Sequence, residues 1–169
     1  MFLSPWIQRF RQRLNGSRRS RCIRKAQQLE QRTLLTLNGV LVGTDLSLFV
    51  DEGDDITVQN DTATGNVSVT VNGTPASTVP AVQSSTLTSL NIIAGDDDNT
   101  IDVSAVTAAD FNALTAGAIE VHGDDGADVI TASPIGGLYV GDHGDDVLNG
   151  GAGDDTIDGD DGQIGRAHV

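Results

Sequence analysis

The sequence predicts an all-β protein: a basic N-terminal segment, a region of short strands, and a solenoid-like array at the C-terminus. Three observations predict it. Short runs rich in Val, Ile and Thr alternate with turn signals from residue 34 onward. A nine-residue period runs through residues 123–163. The formal net charge of −14 is also sharply partitioned, with +8 in residues 1–32, −23 in residues 33–163 and +1 from Arg166. Residues 33–163 contain no Lys or Arg. A split this complete reads as two unlike functional parts.

The acidic part has three aromatics, Phe49, Phe111 and Tyr139, and its other apolar residues are mostly Val, Ile, Leu and Ala. So thin a core does little against chain entropy. Crowded carboxylates add self-repulsion. Either the segment is disordered or a cation binds it. Cys22 is the only cysteine, so no internal disulfide or thiolate cluster forms. No apolar run approaches the roughly 18 residues of a membrane span.

In the N-terminal segment, Ser4 and Pro5 fit a helix cap and first helical position. Leu3, Trp6, Ile7, Phe10 and Leu14 follow helical spacing, and Asn15-Gly16 would end that helix. A basic amphipathic helix suits a membrane surface or an export receptor. The alternative is a disordered, solvated charge run. Nucleic acid is not expected as a partner, because the attached −23 segment opposes it. A standard secretory signal is missing: Thr33 to Gly43 is too polar for an apolar core, and none follows the arginines of "SRRSRC". The stretch "LEQRTLL", Leu29 to Leu35, resembles the L-E-x-R-x-L-L segment of many planctomycete-type secreted and surface proteins. That resemblance implies export, and a chain that begins a longer protein.

Residues 36–120 hold period-two runs in "DITVQN", "NVSVTVNG", "LTSLNIIAG" and "NTIDVSA". Asn72-Gly73 marks a tight turn, as does Asp54-Asp55 beside Gly53. "AVTAADFNALTAG", Ala105 to Gly117, is the one stretch with room for a helical turn. A β-solenoid and a small sandwich both fit this region.

The repeats read "GDDGADVIT" from Gly123, "GDHGDDVLN" from Gly141, "GGAGDDTID" from Gly150 and "GDDGQ" from Gly159. The intervening "ASPIGGLYV" keeps the register. An earlier relic, "AGDDDNTID" from Ala94, has Asp97 where glycine recurs and Asn99 where aspartate recurs. Glycines open each turn to backbone angles closed to other residues. The eighth-position residues Ile130, Tyr139, Leu148 and Ile157 are expected to point inward as a ladder.

This pattern, G-x-x-G-x-D-x-U-x, resembles the nonapeptide of RTX, or haemolysin-type, calcium-binding proteins. The resemblance covers residues 123–163 and implies a parallel β-roll, or β-solenoid, in which two nonapeptides make one coil. It implies calcium as the cofactor, held between turns by backbone carbonyls and sixth-position carboxylates. Carried onto this chain, the metal residues are Gly123, Asp125, Asp128, Gly141, His143, Asp146, Gly150, Ala152, Asp155, Gly159 and Asp161. Turns two nonapeptides apart stack, so Asp128 and Asp146 make the best site. Asp155 faces "ASPIGG", which lacks the sixth-position aspartate. Asp124, Asp125, Asp145 and Asp154 read as solvated turn side chains. Calcium binding and folding are then one event; without calcium the alternative is an acidic disordered tail. "DDTIDG", from Asp154, imitates the start of an EF-hand loop, but Gly165 stands at position 12 where glutamate is needed.

Catalytic motifs are missing. None of His122, His143 and His168 lies in H-E-x-x-H, and no G-x-S-x-G is present. The tail "IGRAHV", residues 164–169, translates a piece of a common sequencing adapter and is expected to be read-through on a truncated gene. The chain thus divides into an export segment (1–35), a β-rich region (36–120), calcium-binding repeats (121–163) and that tail. The expected role is a secreted or cell-surface calcium-binding protein, not an enzyme, structural or adhesive, with extracellular surfaces or polysaccharides as partners. The alternative is the non-catalytic part of an exported RTX-type hydrolase or protease.

Overall fold

A computed structural model of the chain describes residues 37–160 apart from Glu52. The expected basic helix, "LEQRTLL", Asp161 and residues 164–169 lie outside the described residues. Contacts divide the chain into Met1–Leu35 and Thr36–Val169; only the second unit is described below.

Period-two patterning becomes strand throughout. The β1 (Asn38–Val42) and β2 (Asp45–Phe49) strands form an antiparallel hairpin, turned by Gly43 at φ 67°. Next, β3 (Asp55–Asn60), β4 (Val67–Val71) and β5 (Thr74–Pro75) pair antiparallel in succession. Between β4 and β5 the expected tight turn has Asn72 at φ 50° and Gly73 at φ 72°. Two left-handed central residues are what a two-residue hairpin turn of this hand requires. A short 3-10 turn, Ser84–Thr86, leads to β6 (Ser89–Ile93) and β7 (Thr100–Asp102). Then come β8 (Ile119–His122), β9 (Val129–Thr131), β10 (Leu138–Val140), β11 (Val147–Asn149) and β12 (Thr156–Asp158).

These strands build two mixed six-stranded sheets, ordered β1-β2-β6-β8-β10-β12 and β11-β9-β7-β3-β4-β5. From β6 onward the chain alternates between them and every new pairing is parallel. In the repeats the register is regular: Leu138 lies opposite Glu120 on one side and Thr156 on the other, each two nonapeptides away. Upstream the step is longer, as between the paired Leu90 and Ile119. The loop 103–118 takes up the excess there. The same two sheets run through both sides of residue 120.

Each three-residue strand of the repeats turns its middle side chain inward. Ile101, Ile130 and Leu148 are buried in one sheet, Val121 and Tyr139 in the other, and all belong to a single hydrophobic cluster. Burying such a side chain contributes roughly 1.5–3 kcal/mol. The single ladder expected from the period becomes two, Ile130 beside Leu148 and Tyr139 beside Ile157, because successive nonapeptides alternate sheets. The stretch 105–117 forms consecutive turns rather than a helix. Its one helix-type bond runs from the Phe111 amide to the Thr107 carbonyl at 2.8 Å, and Phe111 and Leu114 are buried. Among the described residues no helix is long and apolar enough to cross a membrane.

Candidate functional site

On one edge of the sheets lie the turns 50–54, 94–99, 123–128 and 141–146, each leading from a strand of the first sheet into one of the second. Their last residues, Asp54, Asn99, Asp128 and Asp146, are all buried. A chain of hydrogen bonds links them. Asn99 Oδ1 accepts the Asp54 amide at 3.0 Å, Asp128 Oδ1 the Asn99 amide at 2.7 Å, and Asp146 Oδ1 the Asp128 amide at 2.9 Å. Each side chain thus caps the turn one coil earlier and binds it to its own. A buried carboxylate is tolerated only where such donors reach it.

The second oxygens tell a different story. Asp54 Oδ2, Asp128 Oδ2 and Asp146 Oδ2 are buried with no hydrogen-bond partner. Acceptors crowd the glycines of these turns. The position a β-carbon would take on Gly123 lies 2.5 Å from Asp128 Oδ2 and 2.6 Å from the Gly141 carbonyl oxygen. On Gly141 the equivalent β-carbon would strike Asp146 Oδ2. Glycine at both positions therefore leaves room for oxygens to converge. Burial pushes the Asp128 carboxyl up to about 7, against the Asn99 amide bond, and the charges of Asp146 and Asp98 push it further the same way.

Backbone bonds hold the 123–128 and 141–146 turns together. The His143 amide donates to the Asp124 carbonyl, and the Gly126 amide to the His143 carbonyl, both at 2.9 Å. Asp125 and His143 thereby form a parallel bridge. The approach is close: a β-carbon on Gly144 would overlap the Gly126 carbonyl, and one on Gly126 would sit 2.7 Å from the Asp97 carbonyl. Asp124, Asp142 and Asp160 recur at the same two-nonapeptide step and adopt φ of 66°, 61° and 42°. Aspartate is among the few non-glycine residues that enter this region readily.

Of the metal residues expected from sequence, the structure thus brings Gly123, Asp125, Asp128, Gly141, His143 and Asp146 into two bonded turns. Gly150, Ala152 and Asp155 lie on the opposite edge. There Asp155 Oδ2 accepts the Gly151 amide at 2.9 Å, while Oδ1 has no partner by geometry. Burial raises the Asp155 pKa against bonds from the Gly151 and Gly137 amides. Gly159 is buried beyond β12, and Asp161 is outside the described residues. The side chains of Asp124, Asp125, Asp145 and Asp154 are exposed. Among the described residues no three His, Cys, Asp or Glu side chains gather as a metal cage. The donors that do converge are one carboxylate per turn plus backbone carbonyls. An all-oxygen set of this kind fits a hard cation.

Three features escaped sequence reasoning. Asn99 Nδ2 donates to the Asp97 carbonyl at 2.5 Å and lies 3.5 Å from that of Gly95. The Tyr139 hydroxyl accepts the Ser133 amide at 2.9 Å inside the core. His122 sits between two carboxylates, with Nδ1 3.0 Å from Asp142 and Nε2 3.0 Å from Glu120. Only the first had a signal in the sequence, as the asparagine that interrupts an aspartate register. Compared with family models, with curated proteins and with solved structures, the chain gives no match.

Proposed function

We propose that the chain binds calcium between its stacked turns and that its C-terminal sheets are a β-roll completed by that ion. One observation carries this reading: Asp128 and Asp146, in two turns bonded to each other, each keep a buried carboxylate oxygen without a hydrogen-bond partner. Buried acceptors without donors are costly unless a cation joins them. Asp128, Asp146 and the carbonyls of their turns would hold it. Calcium, which takes six to eight oxygens in flexible geometry, suits this set better than magnesium, which keeps much of its water. Bound calcium would supply the positive charge that the −23 segment lacks. The role is structural or adhesive. The resemblance of "LEQRTLL" to an export segment supports a role outside the cell, where calcium is plentiful enough to couple binding to folding.

The test is a calcium titration of the full chain, followed by the thermal midpoint in far-UV circular dichroism, with magnesium as control. The midpoint should climb with calcium concentration as for any ligand of the native state. Asp128→Ala with Asp146→Ala should flatten the response. A midpoint indifferent to millimolar calcium in the parent chain overturns the reading.

A further inference from the structure

The capping column repeats one chemistry with one exception, Asn99. In Asn99, Asp128 and Asp146 the Oδ1 atom does the same work, accepting the amide at the end of the preceding turn. The other terminal atom is therefore the variable. In Asp128 and Asp146 it is a buried oxygen without a donor. In Asn99 it is a nitrogen, and it donates into the carbonyls of its own turn, Asp97 at 2.5 Å and Gly95 at the longer 3.5 Å. Carbonyl oxygens of a turn are the groups a hard cation would gather. An amide N–H satisfies them without one.

We infer that Asn99 is a built-in substitute for a cation: its side-chain amide fills the place that calcium takes beside Asp128, so the 94–99 turn closes without metal and cation dependence begins one turn later. This inference rests on the calcium reading proposed above. A second asparagine serves the turn before it. Asn72 Nδ2 donates to Asp54 Oδ1 at 2.6 Å, and Asn72 Oδ1 accepts the Asp55 amide at 2.9 Å. Asp54 retains one unpartnered oxygen, but its carboxylate has a neutral side-chain donor at 2.6 Å; at Asp128 the side-chain help comes from Asn99 itself. Neutral side-chain amides thus serve the upstream turns, and no asparagine stands at the sixth position of the downstream ones.

The consequence is an ordered assembly. Strands through β8 form a metal-independent base, and its last capping residue, Asn99, offers its backbone amide to Asp128. Calcium then completes turns laid on a surface already in place. A nucleus of this sort lowers the entropy cost of the first calcium-dependent coil.

Two exchanges in the full chain test this, each read by calcium stoichiometry in calorimetry and by thermal midpoint with EDTA or with calcium. Asn99→Asp should lower the EDTA midpoint by about 5 °C or more, as expected for a buried polar group that loses its partners. Calcium should restore that midpoint and bind with an additional equivalent. Asp128→Asn should do the converse, offering a donor to the carbonyls of its own turn: the EDTA midpoint holds or rises, and a calcium equivalent disappears. If Asn99→Asp binds no more calcium than the parent and is equally destabilised with and without it, the inference is overturned while calcium binding stands. If Asn99→Asp does not fold, Asp128→Asn decides alone: retained stoichiometry, or a lowered EDTA midpoint, overturns the inference. A parent chain that takes up no calcium removes both the inference and the reading beneath it.

Discussion

The two edges of the sheets are built on one period, but only one of them stacks two turns that are both capped by a carboxylate. On the edge of Asp128 and Asp146, buried carboxylates cap amides and leave oxygens without donors. On the other edge the turn 132–137 has Gly137 where aspartate would recur. Two of its amides are met by neutral groups, the Ser133 amide by the Tyr139 hydroxyl and the Ile135 amide by Ser133 Oγ, while the Gly137 amide bonds to the Asp155 carboxylate. Ser133 Oγ in turn donates to the Val106 carbonyl at 2.6 Å. Register alone therefore does not bring two sixth-position carboxylates together. Among the described residues only the first edge stacks two turns that both carry one, those of Asp128 and Asp146.

The comparison breaks most severely where the turns touch. Gly144 has φ 146°, and a β-carbon there would overlap the Gly126 carbonyl. Gly144→Ala should cost more than about 4 kcal/mol in urea unfolding, because backbone cannot yield as a side-chain tip can. The calcium response should vanish with it. By contrast, Gly43→Ala, at φ 67° with open space around it, should cost only about 1 kcal/mol and leave that response intact.

Acidity sharpens the difference between the edges. Burial holds the Asp128 carboxyl near pH 7 instead of at its ordinary value of 3.8. The native chain without calcium then keeps a proton that the unfolded chain has lost. Its stability should be highest below about pH 4 and fall as pH rises through 7, by a few kcal/mol at most. Calcium should release that proton, so the slope should flatten when calcium is present. Urea midpoints from pH 4 to 8, with EDTA and with calcium, measure both. A parallel slope in the two conditions would detach Asp128 from the ion.

Tyr139→Phe probes the opposite edge. It keeps the ring in the core and strands the Ser133 amide, at a cost of about 1–3 kcal/mol. Since a neutral hydroxyl closes this contact, the loss should be the same in EDTA and in calcium. A loss that calcium repairs would mean that this edge, too, binds an ion.

How much of this was legible in the sequence depends on what each residue needs for its meaning. The period gave the short strands β9, β11 and β12 and their inward residues, because one alternating position is a local property. Asn72-Gly73 announced its turn for the same reason. The β1–β2 hairpin was less visible, since Val40 and Val42 are exposed and Phe49 faces outward, which blurs its alternation. Loop 103–118 carried helix-forming alanines, yet the need to place Val106, Phe111 and Leu114 over the core selects turns instead. At the site, the Asp128 and Asp146 pairing followed from the two-nonapeptide step. The roles of Asn99 and the Tyr139 hydroxyl did not, because each depends on a carbonyl or amide that only the folded backbone brings within reach.

The smallest effect concerns the outer face of the carboxylate edge. His122 leaves β8 between Glu120 and Asp142, and Asp142 holds the left-handed angle of the next turn at φ 61°. Burial alone would lower the His122 pKa, but the bonds to Glu120 and then Asp142, with their charges, outweigh it and raise it. A raised histidine stabilises the native state fully below its ordinary value of 6.5, and that contribution fades as pH climbs through the raised value. Because the three side chains are about one-third to one-half exposed, water screens the pair, and the contribution should stay below about 1 kcal/mol. His122→Gln should thus barely move the urea midpoint at pH 8 and lower it slightly at pH 5.5. The His122 ring resonances, followed by NMR, should titrate above the ordinary value. This trend has the same sign as that of Asp128, and the two separate by calcium: saturating ion should flatten the Asp128 slope and leave the His122 difference in place. If calcium abolished the His122 difference as well, the clamp on Asp142 would be part of the ion site rather than a brace beside it.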